Sequence, residues 1–168
     1  GVVGFLILLP ILGFLVSPQA SLRFKEVNIF SDTKIITTSN QEIANDNNAL
    51  YGKVLHNRRL GYAQEYADHY LDHFNFSFLF LKGDENSRFS TMDVGIMYLW
   101  QFPTLVIGAL ILFRRREGIW WLIPVWILIA IIPAAVARET PHALRIENAI
   151  PMYQILSAYG LVSIFEYL

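Results

Sequence analysis

Apolar residues gather in four stretches, at 1–16, 94–113, 119–137 and 148–168, separated by polar sequence. The two middle stretches hold no charged residue. Each is close to the ~20 apolar residues that a helix needs to cross a ~30 Å hydrocarbon layer. The pattern therefore predicts an all-α membrane protein with about four transmembrane helices, the first cut at its start. Pro103, Pro124, Pro133 and Pro151 lie inside these stretches, where membrane helices tolerate them once neighbours satisfy the freed carbonyls. Trp100, Trp120 and Trp121 stand near segment ends, as in an interfacial aromatic belt.

The short connection FRRREG, 113–118, sets the expected orientation, because consecutive arginines between two spans favour the cytoplasmic side. Residues 114–118 are then a cytoplasmic turn. The segments 17–93 and 138–147 become extracytoplasmic loops facing one compartment. Within the long loop, SDTKIITTSNQEIANDNNALYGK reads as irregular surface sequence with one strand-like patch, KIITT. RRLGYAQEYADHYLDHFNFSFLF reads as an amphipathic helix. Its Tyr62, Tyr66, Tyr70 and Phe74 recur every four residues and make one aromatic face. That face suits either a membrane interface or packing within the loop.

Composition agrees with this reading: the 168 residues are 54% hydrophobic and 16% charged, with mean hydropathy +0.39. A net charge of −1 gives no reason to expect a nucleic-acid partner. Cysteine is absent, which removes thiol catalysis, disulfides and cysteine-based zinc sites. The start at Gly1 and the apolar end SIFEYL suggest an internal piece of a longer multi-pass protein. A cleaved signal peptide over 1–20 is the weaker alternative, since no basic residues precede the run and Pro18 suits a cleavage site poorly.

Several residues carry candidate chemistry. His69 and His73, four apart on one helix face with Asp72 beside them, have metal-ligand spacing but lack the glutamate of a zinc-peptidase motif. Local hydrogen bonding is the better account of them, so no metal-binding residue is assigned, and the sequence does not decide whether a divalent metal is required. Asp84, Glu85 and Asp93 read as solvated turn acids ahead of catalytic bases. GDENSR lacks the alternating oxygen ligands of a calcium loop. NFS at 75–77 fits the N-glycosylation acceptor pattern, which many chains contain by chance.

The segment PHALR, 141–145, is more informative. Pro141 disfavours helix in Thr140, and His142 and Arg145 then stand three apart at the start of the last apolar segment. A guanidinium is always charged and fits phosphate oxygens with a planar fork. The following helix adds exposed N–H groups and the positive end of its dipole. An anion site and an arginine paired with Glu139 or Glu147 both fit this pattern.

Taken in order, YLDHFNFSFLFLKGDENSR, an MYLWQFP segment, a short basic turn and PHALRIENAIPMYQILSAYGL resemble the C-terminal half of bacterial family 39 glycosyltransferases. These are the protein-mannosyltransferase-like group. The resemblance covers roughly residues 50–168, and residues before 50 resemble nothing comparable. It implies a fragment of a larger GT-C type bundle in the bacterial plasma membrane. Its members take a sugar from a polyprenyl-phosphate carrier and pass it to a protein, lipid or glycan acceptor. Membrane lipids, the lipid-linked donor and that acceptor are the implied partners, with no cofactor identified. On this resemblance Arg145 would hold the carrier phosphate and His142 would assist. Arg88 and His73 would be further loop residues at the substrate. The family's usual aspartate base lies in an earlier loop, so no catalytic base is assigned and the piece alone is expected to be inactive. A transporter would place charged or strongly polar residues along the spans, and these stretches have almost none beyond Gln101 and Gln154. The remaining alternative is a non-catalytic multi-pass subunit whose long loop binds a partner.

Overall fold

A computed structural model of the protein describes residues 13, 17–47 and 49–167. The predicted first span, 1–16, lies outside the described residues apart from Gly13. The chain is mostly helical, with seven helices and no strand among the described residues. It divides into two compact units, Gly1–Glu65 and Tyr66–Leu168.

In the first unit, α1 covers Pro18–Val27. Its start is set by Pro18 in the first turn and by the Ser17 side chain, which accepts the Ala20 N–H at 3.2 Å. Asn28 ends it and accepts the Phe30 N–H at 2.6 Å, opening a 3₁₀ turn at Ile29–Ser31. Asp32 then caps α2, Thr33–Asn45, by accepting the Lys34 N–H at 2.8 Å. The strand-like patch KIITT thus lies inside a helix: a good cap outweighs the modest helix penalty of β-branched residues. A short α3, Leu50–Leu55, ends at His56. The helix α4, Arg58–Asp72, begins in this unit, where the Tyr62 hydroxyl donates to the Asp32 carbonyl at 2.9 Å.

The second unit contains the rest of α4, a π-turn at Ser77–Leu81, and helices α5 (Gln101–Arg115), α6 (Leu122–Ala135) and α7 (Ile150–Tyr167). Phe78, Phe80, Met97, Ile127, Ile131 and Ile146 form its buried apolar centre. The aromatic face of α4 packs within this unit: Tyr66 and Tyr70 donate hydroxyl hydrogen bonds to the Ile132 and Leu128 carbonyls of α6, at 3.2 and 2.9 Å. Helices α5 and α7 meet at very close range. A Cβ on Gly108 would lie 2.0 Å from the Leu156 carbonyl oxygen, and one on Gly160 would lie 1.9 Å from that of Thr104. Beside this crossing, Thr104 and Ser157 share a 2.6 Å hydroxyl bond, and Gln101 donates to Gln154 at 2.7 Å. Two polar pairs are thereby satisfied between largely apolar helices.

These lengths overturn the expected all-α membrane architecture. Among the described residues no helix is long and apolar enough to cross a membrane. The predicted multi-pass placement in a bacterial plasma membrane, the fragment of a GT-C bundle and the extracytoplasmic assignment of 17–93 and 138–147 fall with it. The apolar stretches are real, but their ends are used differently. In 94–113, helix begins only at Gln101. The residues before it pair with the π-turn, Ile96 N–H to Phe78 carbonyl at 3.4 Å and Met97 N–H to Leu79 carbonyl at 2.8 Å. Gly95 permits that approach, since a Cβ there would lie 2.4 Å from the Phe80 backbone. Helix α5 has 15 residues and α6 has 14, so each rises only about 22 Å, short of a ~30 Å core. Helix α7 has 18 residues but carries Gln154, Ser157, Ser163 and Glu166.

Candidate functional site

The site lies in the second unit and is organised around Asp84. Gly83 adopts φ +75°, a left-handed conformation that lets the chain turn sharply after the π-turn. Asp84 follows, only 4% exposed, and one of its carboxylate oxygens accepts the Asn86 N–H at 2.9 Å. The Asn86 side chain in turn accepts the Arg88 N–H at 3.1 Å. The second Asp84 oxygen reaches across 59 positions of sequence to accept the Ala143 N–H at 2.8 Å. It holds the first residue of the 3₁₀ turn Ala143–Ile146, so the GD and PHALR segments are joined through one carboxylate.

The other side of the PHALR loop is held by the end of α4. His73 is fully buried, with Nδ1 2.8 Å from the His69 carbonyl oxygen. Its Nε2 accepts the His142 N–H at 3.4 Å. This pairing assigns a neutral ring with its proton on Nδ1. Burial pushes the His73 pKa down, in keeping with that neutral form. One residue earlier, Asp72 accepts the Thr140 hydroxyl at 3.0 Å.

His142 is 8% exposed and packs against the Phe89 ring with centroids 4.8 Å apart. Its Nδ1 lies 3.7 Å from the Asp84 carboxylate, beyond hydrogen-bond range, and is buried without a hydrogen-bond partner. Burial first, and the nearby Arg145 charge second, lower the His142 pKa. Arg145 is half-buried and donates to the Glu139 carbonyl at 3.3 Å. Around these groups lies a cleft of about 500 Å³ lined by Asp84, Asn86, Arg138, Glu139, Thr140 and His142 among others.

Of the four residues singled out in the sequence, His142 lines this cleft. Arg145 stands beside it through Glu139. His73 sits behind the loop with both ring nitrogens engaged. Arg88 is exposed and does not line the cleft. Among the described residues no group of three His, Asp or Glu side chains could hold a metal ion. Sequence reasoning passed over two residues. Asp84 reads as a solvated turn acid, and nothing local reveals a partner so distant in the chain. Arg138 had a visible signal: it is the charge that ends the apolar stretch just before PHALR. Chemically, the cleft presents the Arg138 cation with Arg145 beside it, hydrogen-bond acceptors and neutral histidine, which suits a polar ligand bearing hydroxyl and anionic groups. No protein family, curated protein or solved structure matches the chain.

Proposed function

We propose that the second unit is the donor-recognising part of a glycosyltransferase that uses a polyprenyl-phosphate sugar. The sugar would pass to a protein, lipid or glycan acceptor. One observation carries this reading. The two segments in which the family resemblance is most specific, the GD turn and the PHALR loop, meet at a single cleft through Asp84. The multi-spanning architecture of that family is not part of the proposal.

In this reading Arg145 and Arg138 hold the carrier phosphate, and carboxylate and amide groups of the cleft take sugar hydroxyls. A fixed cation beside the departing phosphate oxygen is worth more as charge grows there than in the ground state. His142, neutral near pH 7, contributes one hydrogen bond. Asp84 spends both oxygens on backbone N–H groups and so serves as a positioning residue. No catalytic base is assigned.

The test is equilibrium binding of a labelled polyprenyl-phosphate hexose by the protein in detergent micelles. The wild type is expected to retain the donor. Arg145→Ala removes a charge-assisted hydrogen bond and is expected to weaken retention about tenfold or more. Equal binding by both proteins would remove Arg145 from the site. No binding of any donor by the wild type would favour a non-catalytic subunit that engages a partner.

A further inference from the structure

The FRRREG segment loses its expected role once no helix spans a membrane, yet its geometry is specific. Helix α5 ends at Arg115, and Arg116 caps it in a left-handed conformation, φ 51°. The Arg116 Nε donates to the Phe113 carbonyl at 3.2 Å, and its guanidinium lies 5.4 Å from the Trp120 ring centroid. The turn is therefore held in shape while Arg114, Arg115 and Arg116 all remain exposed. Arg115 lies 4.0 Å from Glu166, and Glu117 is the other acid of the turn, so the arginines outnumber the acids.

This basic turn runs directly into an uncovered apolar surface. Ile119 is 64% exposed and Trp121 50% exposed, and both stand immediately beyond the arginines. Helix α6 continues from them with Leu122, Val125, Ile129 and Ile132 exposed as well. Trp121, Val125, Trp126, Ile129 and Pro133 line a shallow groove of about 630 Å³ there. One indole N–H of the groove is already spent, since Trp126 donates to the Asn148 carbonyl at 2.8 Å. The groove thus offers apolar contact and little polar recognition.

The geometry points to a docking surface for an anionic lipid bilayer, with α6 lying in the interface and the arginine turn among the phosphate headgroups. Charge complementarity selects this occupant. Helix α6 is apolar all round, with its buried residues packed on the protein, so its exposed side chains and tryptophans can sink about 5–10 Å into the headgroup–acyl boundary while the arginines at its start meet the phosphates. A nucleic acid would take the arginines but leave the α6 face in water. A second copy would cover α6 but would leave the exposed arginine turn without anionic partners of matching number, since this chain's turn carries more arginines than acids. The inference is independent of the donor site.

Flotation of the protein with vesicles of phosphatidylcholine alone, and of phosphatidylcholine mixed with phosphatidylserine, tests it. Binding is expected with the anionic vesicles only, falling as salt is raised. Arg114→Gln with Arg116→Gln should lower the partition coefficient about 25-fold, at roughly fivefold per basic residue at such a surface. Ile129→Ser, on the exposed face, should lower it separately while leaving the helical circular dichroism unchanged. Equal binding to both vesicles, no loss in the arginine variant, or retention of an oligonucleotide in place of vesicles would each overturn the proposal. So would a lipid-free dimer that the Ile129→Ser change dissolves.

Discussion

The two units are built on different physics. Among the described residues of Gly1–Glu65 the helices are short and fixed mainly by caps and local polar bonds, and Ile29 is the one large apolar side chain that is buried. Ser17, Asn28 and Asp32 each accept a backbone N–H at an element start. In Tyr66–Leu168 a contiguous set of aromatic and aliphatic side chains is buried, and two glycines bring helix backbones into contact. Burial of large apolar groups contributes about 1.5–3 kcal/mol each, whereas a cap contributes about 1 kcal/mol. The comparison teaches that overall hydrophobicity is a poor guide to where stability resides. Among the described residues the buried apolar side chains are concentrated in the second unit, and the candidate site is placed there.

The largest expected effect lies at the α5–α7 crossing. Alanine in place of glycine inside a helix normally stabilises by about 1 kcal/mol. At Gly160 the new Cβ would meet the Thr104 backbone oxygen at 1.9 Å, and a backbone cannot step aside as a side-chain tip can. Gly160→Ala is therefore expected to reverse that sign and cost about 2–3 kcal/mol, read as a lower urea midpoint. A neutral or stabilising outcome would mean that the helices do not approach this closely. Next comes Asp84→Ala, which strips the acceptor from the Asn86 and Ala143 N–H groups in a buried setting. Its expected cost is about 2–3 kcal/mol. Asp84→Asn, able to keep one of the two bonds, should recover part of it.

Much of the second unit was visible in the sequence, and the reason is periodicity. The apolar stretches at 94–113, 119–137 and 148–168 each contain a helix, and the tyrosine repeat correctly marks one face of α4. What the stretches could not reveal is how much of each becomes helix. Residues 94–100 have the composition of a helix yet bond to Phe78 and Leu79, a long-range choice that no local pattern records. The site was half legible. His142 and Arg145 stood out because charge is conspicuous beside apolar sequence, and they do lie at or beside the cleft. Asp84 did not, because its importance comes from burial against Ala143, and turn acids are usually solvated. In the first unit KIITT misled for the opposite reason: a single Asp32 cap decides the local conformation.

A smaller effect in the second unit depends on pH. Burial lowers the pKa of His73 and, with Arg145, that of His142, so the folded state resists protonating them. The unfolded chain takes up those protons at the ordinary histidine value near 6.5. Folding stability contributed by these groups is thus fully present above pH about 6.5 and declines as pH falls below it. A series of urea melts between neutral and mildly acidic pH should show this decline. His73→Leu should flatten the slope, though it also lowers stability at neutral pH by removing the acceptor of the His142 N–H. A slope unchanged in the variant would show that His73 already exposes its ring to protons in the folded state.

The smallest expected effect probes the polar unit on its own terms. The His56 ring lies between two carboxylates of the α2 end, with Nδ1 2.8 Å from Glu42 and Nε2 3.2 Å from Asp46. The Ser39 hydroxyl also donates to the His56 carbonyl. Gly52 admits the α3 backbone to this place, since a Cβ there would lie 2.7 Å from the Asp46 carboxylate. These side chains are 28–47% exposed, so solvent screens their attraction and the pairs are worth less than about 1 kcal/mol. His56→Gln, which keeps a donor, should therefore shift stability by only a few tenths of a kcal/mol. Amide exchange over 33–56 is the suitable measurement, because it reports local opening that a global melt averages away. A large acceleration of exchange in the variant would show that this clasp, and not the helix caps, is what closes the first unit.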